Sequence, residues 1–458
     1  MIDLLNDALT KLARYQYVEL RHQHLEGTTI IIEDNSIQTA STGVTRGTGI
    51  RILHDGAWGL AATTDPSLAA IIKAANEAGI MAKKGSSYKK DKIVLSKVPV
   101  HESEFQAEFK RDLRDMSVVE KLEKFIDASN WAKKSDKVVN SYFYYNEAID
   151  EVSLVTSEGI SFVRAFQKPT IRTKVVVAEH GQVRPASKEI SKTCGAEIFD
   201  TYDPLVMVQE AYQQAIRLLG AKLVKSGLQN IVLDHGLVGL LAHEAVGHTA
   251  ESDLVLSGSF LQGKIGENVA NDLVSLSDSP IVGDAAGWIP VDDEGVVGKK
   301  VEIIKDGILK NYLVNKADSS KLGQEPTGNA RAYLYRDIPL VRMRNTYLEP
   351  GDMSNEELFE VVKDGYFLKG STSGQADSNG EFMFGTEEAL EIKNGKLTGI
   401  SFVGPTISGN AFDVLKSVNG VGKAFKMDMG AGFCGKGQLA KVDGGGPLIA
   451  CKALLGGQ

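Results

Sequence analysis

The chain has 458 residues with 51 basic and 59 acidic side chains, a formal net charge of -8. That balance argues against a nucleic-acid or anionic-membrane binder, because both need a basic face, so neither partner is expected. Apolar residues at 43% and charged residues at 24% describe an ordinary globular protein, and the length suggests about two to three domains.

The first stretch, residues 2–14, carries Leu4, Leu5, Ala8, Leu9 and Leu12 on one stripe, an amphipathic helix and not the continuous apolar core of a signal peptide. No apolar run approaches the roughly 20 residues needed to span a bilayer. The three cysteines, Cys194, Cys434 and Cys451, are an odd number, so at least one stays unpaired in an oxidising compartment. The expected compartment is the cytoplasm.

Residues 17–25 and 28–34 read as strands, rich in β-branched and aromatic side chains. Residues 49–54 and 57–63 flank Asp55-Gly56, a two-residue hairpin signal. A helix follows, with Asp65 as its cap, Pro66 in its first turn and Leu68, Ile71, Ile72 and Ala75 buried. Residues 83–92 read as a mobile loop. Ser117 and Glu120 make a capping box ahead of Leu122, Phe125 and Ile126. Strand-like runs come at 138–145, 152–156, 160–166 and 173–177. Asp203-Pro204 opens another helix, with Leu205, Val208, Ala211, Ala215 and Leu218 on one face. The order suggests an N-terminal α/β domain, residues 1–225, built from a degenerate duplication of helix, strand meander and helix.

From about Ser226 the chain is richer in glycine. Asp306-Gly307 and Asn394-Gly395 mark two hairpins, and Ser354 with Glu357 caps one short helix that ends near Gly365. Residues 226–458 read as a mostly antiparallel β domain, sheet or barrel, which makes the whole an α+β protein.

The chemistry concentrates after a strand at 230–233. An apolar helix through Leu237, Leu240 and Leu241 carries His243-Glu244-Ala245-Val246-Gly247-His248. Zinc peptidases place two histidines four apart on one helix face, with the adjacent Glu as base. Here the spacing is five. At about 100° per residue, positions five apart lie about 140° apart on a regular helix and do not meet one ion. Either a π-type turn realigns them or the helix breaks at Gly247. A catalytic zinc needs a third protein ligand. Cys434, in a glycine-rich turn, offers a thiolate, and Lys436 is placed to keep it ionised. Two buried, hydrogen-bonded histidines and a small buried cysteine are the plainer alternative. The stretch from Gly430 to Lys436 also fits Gly-x-x-x-x-Gly-Lys, a phosphate-binding loop. Gly437 stands where magnesium needs Ser or Thr, however, and residues 443–447 break the helix that should follow.

These residues resemble the TldD/PmbA family, and within it the TldD branch. The resemblance covers nearly the whole chain. It rests on the His243–His248 segment with Glu251 and Asp253, on Asp292-Asp293-Glu294-Gly295 and on Pro326-Thr327-Gly328-Asn329. Arg342-Met343-Arg344-Asn345-Thr346-Tyr347 with Pro350-Gly351 and Gly432-Phe433-Cys434-Gly435-Lys436-Gly437 complete it. The loop after Cys434 is one residue shorter than the family pattern, which affects how Lys436 approaches. The resemblance implies two domains and a zinc peptidase acting on small or unfolded peptides. It implies Zn2+ held by His243, His248 and Cys434, with Glu244 as the base, and a dimer with an identical chain or with a PmbA-type relative that lacks the metal motif. The family's older association with DNA gyrase finds no support in so acidic a sequence. A different class of function, a non-catalytic scaffold subunit, is disfavoured by the intact metal motif.

On this reading Glu251 and Asp253 orient a ligating imidazole, or are solvated acids past the helix end. Arg331, Arg336, Arg342 and Arg344 are candidates for a peptide carboxylate, with strand-surface ion pairs as the usual role of such residues. Tyr333 and Tyr335 are candidate donors to an oxyanion.

Overall fold

A computed structural model describes residues 1–430 and 432–456. The first sheet is built by α1 (Ile2–Lys11), β1 (Tyr17–Glu33), β2 (Ser36–His54), β3 (Ala57–Thr63), α2 (Leu68–Ser86), β4 (Glu102–Gln106), α3 (Val118–Ala132), β5 (Val138–Thr156), β6 (Ser161–Glu179), β7 (Gln182–Ser191), α4 (Ile198–Thr201) and α5 (Pro204–Leu218). Its strand order is β3-β2-β1-β5-β6, with β4 and β7 sharing the outer edge of β6. Each of the two antiparallel meanders, β1-β2-β3 and β5-β6-β7, is preceded and followed by a helix, and they join through β1 and β5. This is the repeated order the sequence suggests.

Period-two alternation assigns the faces of this sheet. On β1, Val18 and Leu20 pack with Leu5 of α1, with Leu12 at its end and with Ile71 and Ala75 of α2. Ile30 and Ile32 join Phe125, Phe143, Tyr145, Val208 and Ala211 under α3 and α5. The other face, with Glu19, Arg21 and Gln23, is buried although it is polar. It meets residues 292–337. Asp293 accepts from Arg164 at 3.0 Å and from Arg21 at 3.5 Å, and Arg51 bridges Glu19 at 2.7 Å and Glu294 at 3.1 Å.

Several expectations need adjustment. The runs at 17–25 and 28–34 form one strand, because β2 and β5 supply an unbroken ladder past Gly27. Residues 36–46 of β2 lie largely exposed, so no buried face gives them a period-two signal. Ser67, not Asp65, caps α2, accepting from the Ala70 N–H, while Asp65 accepts from the Ser67 N–H. The loop expected at 83–92 begins inside α2, and Lys92 is tied to Asp55 and to the Ser86 carbonyl. Ser117–Glu120 and Ser354–Glu357 are both complete capping boxes. The turns at Asp55-Gly56, Asp306-Gly307 and Asn394-Gly395 have positive φ at both positions, which their hairpins require.

The rest of the chain adds a second sheet in which five strands pair in a closed circuit. The circuit runs from β9 (Gly227–Leu233) to Ile449–Gly456, Thr406–Asn410, Glu381–Lys393, Gly365–Ala376 and back to β9. Strand β8 (Lys222–Leu223) and Lys396–Val403 extend it. A six-stranded sheet, with Leu276–Ser279 and Asn345–Leu348 at its centre and Asp443–Gly446 paired parallel to the latter, lies beside it. Between these sheets runs the helical segment that follows β9, its Leu237, Val238, Leu241, Ala245 and Val246 in the main core.

Candidate metal centre

The segment leaves β9 through Asp234, whose carboxylate caps α6 (His235–Leu240) by accepting from the Leu237 N–H at 2.9 Å. Gly239 lies against Asp443–Gly446 so closely that a Cβ would fall 2.5 Å from the Gly444 carbonyl carbon. From Leu241 to Gly247 the chain winds as a π-helix, then as one 3-10 turn from His248 to Ala250. Of the two ways to align histidines five apart, the π turn is therefore the one present. Gly247 keeps helical dihedrals, φ -58 and ψ -51. It serves by its size, because a Cβ there would stand 1.9 Å from Met343 Sδ.

Cys434 comes from a hairpin of Phe433–Gly435 and Leu439–Lys441. Two strands where a helix should follow remove the phosphate-loop alternative. The guanidinium of Arg342 braces this hairpin, donating to the carbonyls of Cys434 and Gln438 at 2.9 Å each.

These elements bring one nitrogen of His243, one of His248 and the Cys434 sulfur within 4.8 Å of one another. Cys434 Sγ is 3.2 Å from His248 Nε2, and the imidazole rings lie 5.2 Å apart at 79°. Ligands around one zinc stand roughly 3.5 Å from each other, so the three atoms are close to the spacing that one shared ion requires. A second observation agrees. His243 is 1% exposed, and neither of its ring nitrogens has a hydrogen-bond partner among the described residues. A buried imidazole left in that way is costly, and a metal on one nitrogen is one way to relieve that cost.

The surroundings hold the ligand states. His248 Nδ1 faces Glu251 Oε2 at 3.0 Å, which leaves Nε2 turned toward the Cys434 sulfur. Glu251 is fully buried, and Lys436 Nζ donates to it and to Asp253 at 2.7 Å each, and to the Val341 carbonyl at 3.0 Å. Burial alone would lower the His248 pKa, but the Glu251 charge and the Cys434 sulfur outweigh it and lift it to about 10. Burial pushes the Cys434 thiol up, but His243 and then His248 outweigh it and bring it to about 4. Burial likewise opposes ionisation of Glu251, yet His248 and Lys436 hold it at about 2. Asp253 is pushed up, chiefly by burial.

Lys436 therefore does not act on the sulfur as its sequence position suggests; its ammonium is committed to the two acids behind His248. Arg342 and Arg344 are not free cations either. Arg342 is 1% exposed and holds the cysteine hairpin. Arg344 is buried against Asp278 at 2.7 Å and donates to backbone carbonyls. Tyr335 packs over Gly47 and Gly49 of β2, and Arg336 alone of the four arginines is exposed. Glu244 lies on the open side, 24% exposed, with Oε2 3.9 Å from His248 Nε2. The Arg342 brace is the feature sequence reasoning missed, and a backbone-directed guanidinium leaves no local signal.

Fold and site together bring a histidine–histidine–cysteine set, close enough to hold one metal ion, beside an acid. The chain belongs to the PmbA/TldD family of metallopeptidases. It matches the PmbA/TldA metallopeptidase domain 1 over residues 18–82, the central domain over 111–219 and the C-terminal domain over 226–454. It is 34% identical to a metalloprotease of Methanothermobacter thermautotrophicus over 97% of this chain and 96% of that one. It is 31% identical to a zinc metalloprotease TldD homolog of Saccharolobus solfataricus, over 96% of each. In fold it resembles a Thermotoga maritima protein described as a candidate modulator of a DNA gyrase, with TM-score 0.79, 21% identity and 99% of each chain covered. It also resembles TldE from Thermococcus kodakarensis, with TM-score 0.77, 20% identity and 98% and 99% covered. Among the described residues no helix is long and apolar enough to cross a membrane.

Proposed function

We propose that this chain is a zinc-dependent peptidase that hydrolyses small or unfolded peptides, with His243, His248 and Cys434 as ligands and Glu244 as general base. The observation that carries this reading is the meeting of three ligand atoms within 4.8 Å around a buried imidazole whose nitrogens have no hydrogen-bond partner among the described residues. Zinc bound there supplies Lewis-acid activation of a carbonyl and of water. The rest is the work of side chains. Glu244 takes the proton of the attacking water and returns it to the leaving amine. Glu251 fixes the His248 ring, and Lys436 and Asp253 fix Glu251. Arg342 sets the height of the Cys434 hairpin. We further propose that the chain divides near residue 225 and works in the cytoplasm as a dimer, with a second copy or with a relative that lacks the motif.

Two measurements test this. Atomic emission should find one zinc per chain, and a chelator should abolish peptide hydrolysis that added zinc restores. Glu244→Gln should keep its zinc and lose about 10²–10⁴-fold in turnover, since the base goes while the ligands stay. Near-normal turnover in that variant removes Glu244 from the role.

A further inference from the structure

The cysteine hairpin has a second face. Phe433 and Lys441 pair one step along from Cys434 and Ala440. Alternation turns their side chains away from the histidines and toward the first sheet. There they close a cavity of about 50 Å³, walled also by Asp150, Arg164, Arg331 and Tyr333.

The cations of this cavity are under-neutralised. Arg331 is 6% exposed and makes one hydrogen bond, Nη1 to the Met343 carbonyl at 2.9 Å. Its Nε has no partner, and among the described residues no carboxylate pairs with it. Lys441 Nζ donates to Thr170 Oγ1 at 2.7 Å and Ser191 Oγ at 3.2 Å and lies 3.8 Å over the Phe433 ring, again with no carboxylate partner. The Nε of Arg164 is also unpartnered among the described residues. Of the two acids, Asp293 is shared between Arg164, Arg21 and the Ala332 N–H. Asp150 accepts from the Gln23 amide at 2.9 Å. Burial and neighbouring Arg331 and Lys441 push the Lys168 ammonium, just outside, well below its ordinary range. Burial lowers the Arg331 guanidinium to about 9, with Arg342 adding to it, and the Lys441 ammonium to about 7, so water would satisfy the free N–H groups but not the positive charge that remains.

We propose that this cavity is a binding site for a compact monovalent anion, a halide ion or the carboxylate of a small acid, held by Arg331 and Lys441. A phosphate carries too much negative charge beside Asp150. The anion joins the hairpin that carries Cys434 to the first sheet, on the face opposite the metal ligands. The site does not depend on the peptidase reading.

The test uses the full-length, zinc-loaded protein at constant ionic strength, with a bulky sulfonate as the background anion. Bromide is titrated in one arm and acetate in the other while the thermal midpoint is followed. The midpoint should rise saturably in at least one arm, because a ligand of the native state alone stabilises it by mass action. Arg331→Met and Lys441→Met should each flatten that response. Bromide acting alone identifies a halide site, and acetate acting alone a carboxylate site. Should neither variant fold, crystals of the parent grown in bromide or acetate carry the test, with an anomalous peak or planar density against Arg331 expected. Insensitivity to both anions, a response unchanged in the variants, or a cavity filled by water only overturns the proposal.

Discussion

The Cys434 sulfur and the His248 imidazole lie 3.2 Å apart, and without metal they favour a thiolate beside an imidazolium. Zinc would take the thiolate as it stands and displace the proton from His248. Cys434→Ser should therefore lower zinc affinity by orders of magnitude, because a neutral hydroxyl replaces a thiolate. Competition with a chromophoric chelator measures this, and parental affinity in the variant would move the third ligand elsewhere. Glu251 acts one step behind. Glu251→Gln should cost about 10–100-fold in zinc affinity, the usual effect of removing a ligand's orienting partner. It should also change acid stability. The carboxyl's ordinary pKa is 4.5 and its folded value about 2. The stability it contributes is therefore full above pH 4.5 and is lost as pH falls through 2. Acid unfolding of the metal-free protein should be steeper in the parent than in Glu251→Gln across that window. Superimposable curves would mean that Glu251 is not held ionised.

At the scale of elements, the π turn at Leu241–Gly247 turns a five-residue spacing into one face. It depends on the Met343 thioether lying where a Cβ of residue 247 would be. Gly247→Ala should cost about 1–3 kcal/mol by overpacking and lower zinc affinity as the turn rewinds. Urea unfolding and zinc competition on the same sample check both, and an unchanged midpoint would show that Met343 yields freely. The need for such a turn is legible in the sequence, since a spacing of five is incompatible with an α-helix and one ion. The hairpins at Asp55-Gly56, Asp306-Gly307 and Asn394-Gly395 and the two capping boxes are legible too, because a few adjacent residues determine each. Other features rest on distant partners. The outer length of β2 carries exposed Ser, Thr and Gly with no buried face to pattern it. The commitments of Lys436, Arg342 and Arg344 depend on groups about 66 to 185 residues away and leave no local trace.

Across the whole molecule, the first sheet meets the half that carries His243, His248 and Cys434 through buried charges. Glu19, Arg21, Arg51 and Arg164 lie on β1, β2 and β6, and Asp293 and Glu294 supply the answering acids from the other half. Such a network adds little when it replaces apolar packing, but it is severe to break, since each partner left behind is a desolvated charge. Asp293 is its centre. One carboxylate oxygen serves Arg21 and Arg164, and the other accepts from the Ala332 N–H at 2.9 Å. Asp293→Ala strands two guanidinium groups and one backbone donor, and should cost about 3–5 kcal/mol. That is a large share of the about 5–15 kcal/mol by which a folded protein is stable. Asp293→Asn separates charge from shape. It keeps an oxygen for Ala332 and fills the same space, so if the charge matters it should remain nearly as unstable as the alanine variant. Urea unfolding of the zinc-loaded proteins measures both. An asparagine variant as stable as the parent would mean that hydrogen bonding and packing, not ion pairing, hold the two halves together. The halves matter to the chemistry because residues 330–344 lie on Asp293 at one end, through Ala332, and through Arg342 carry the Cys434 hairpin at the other. Loosening the interface at Asp293 should therefore lower zinc affinity as well, although Asp293 touches none of the ligands.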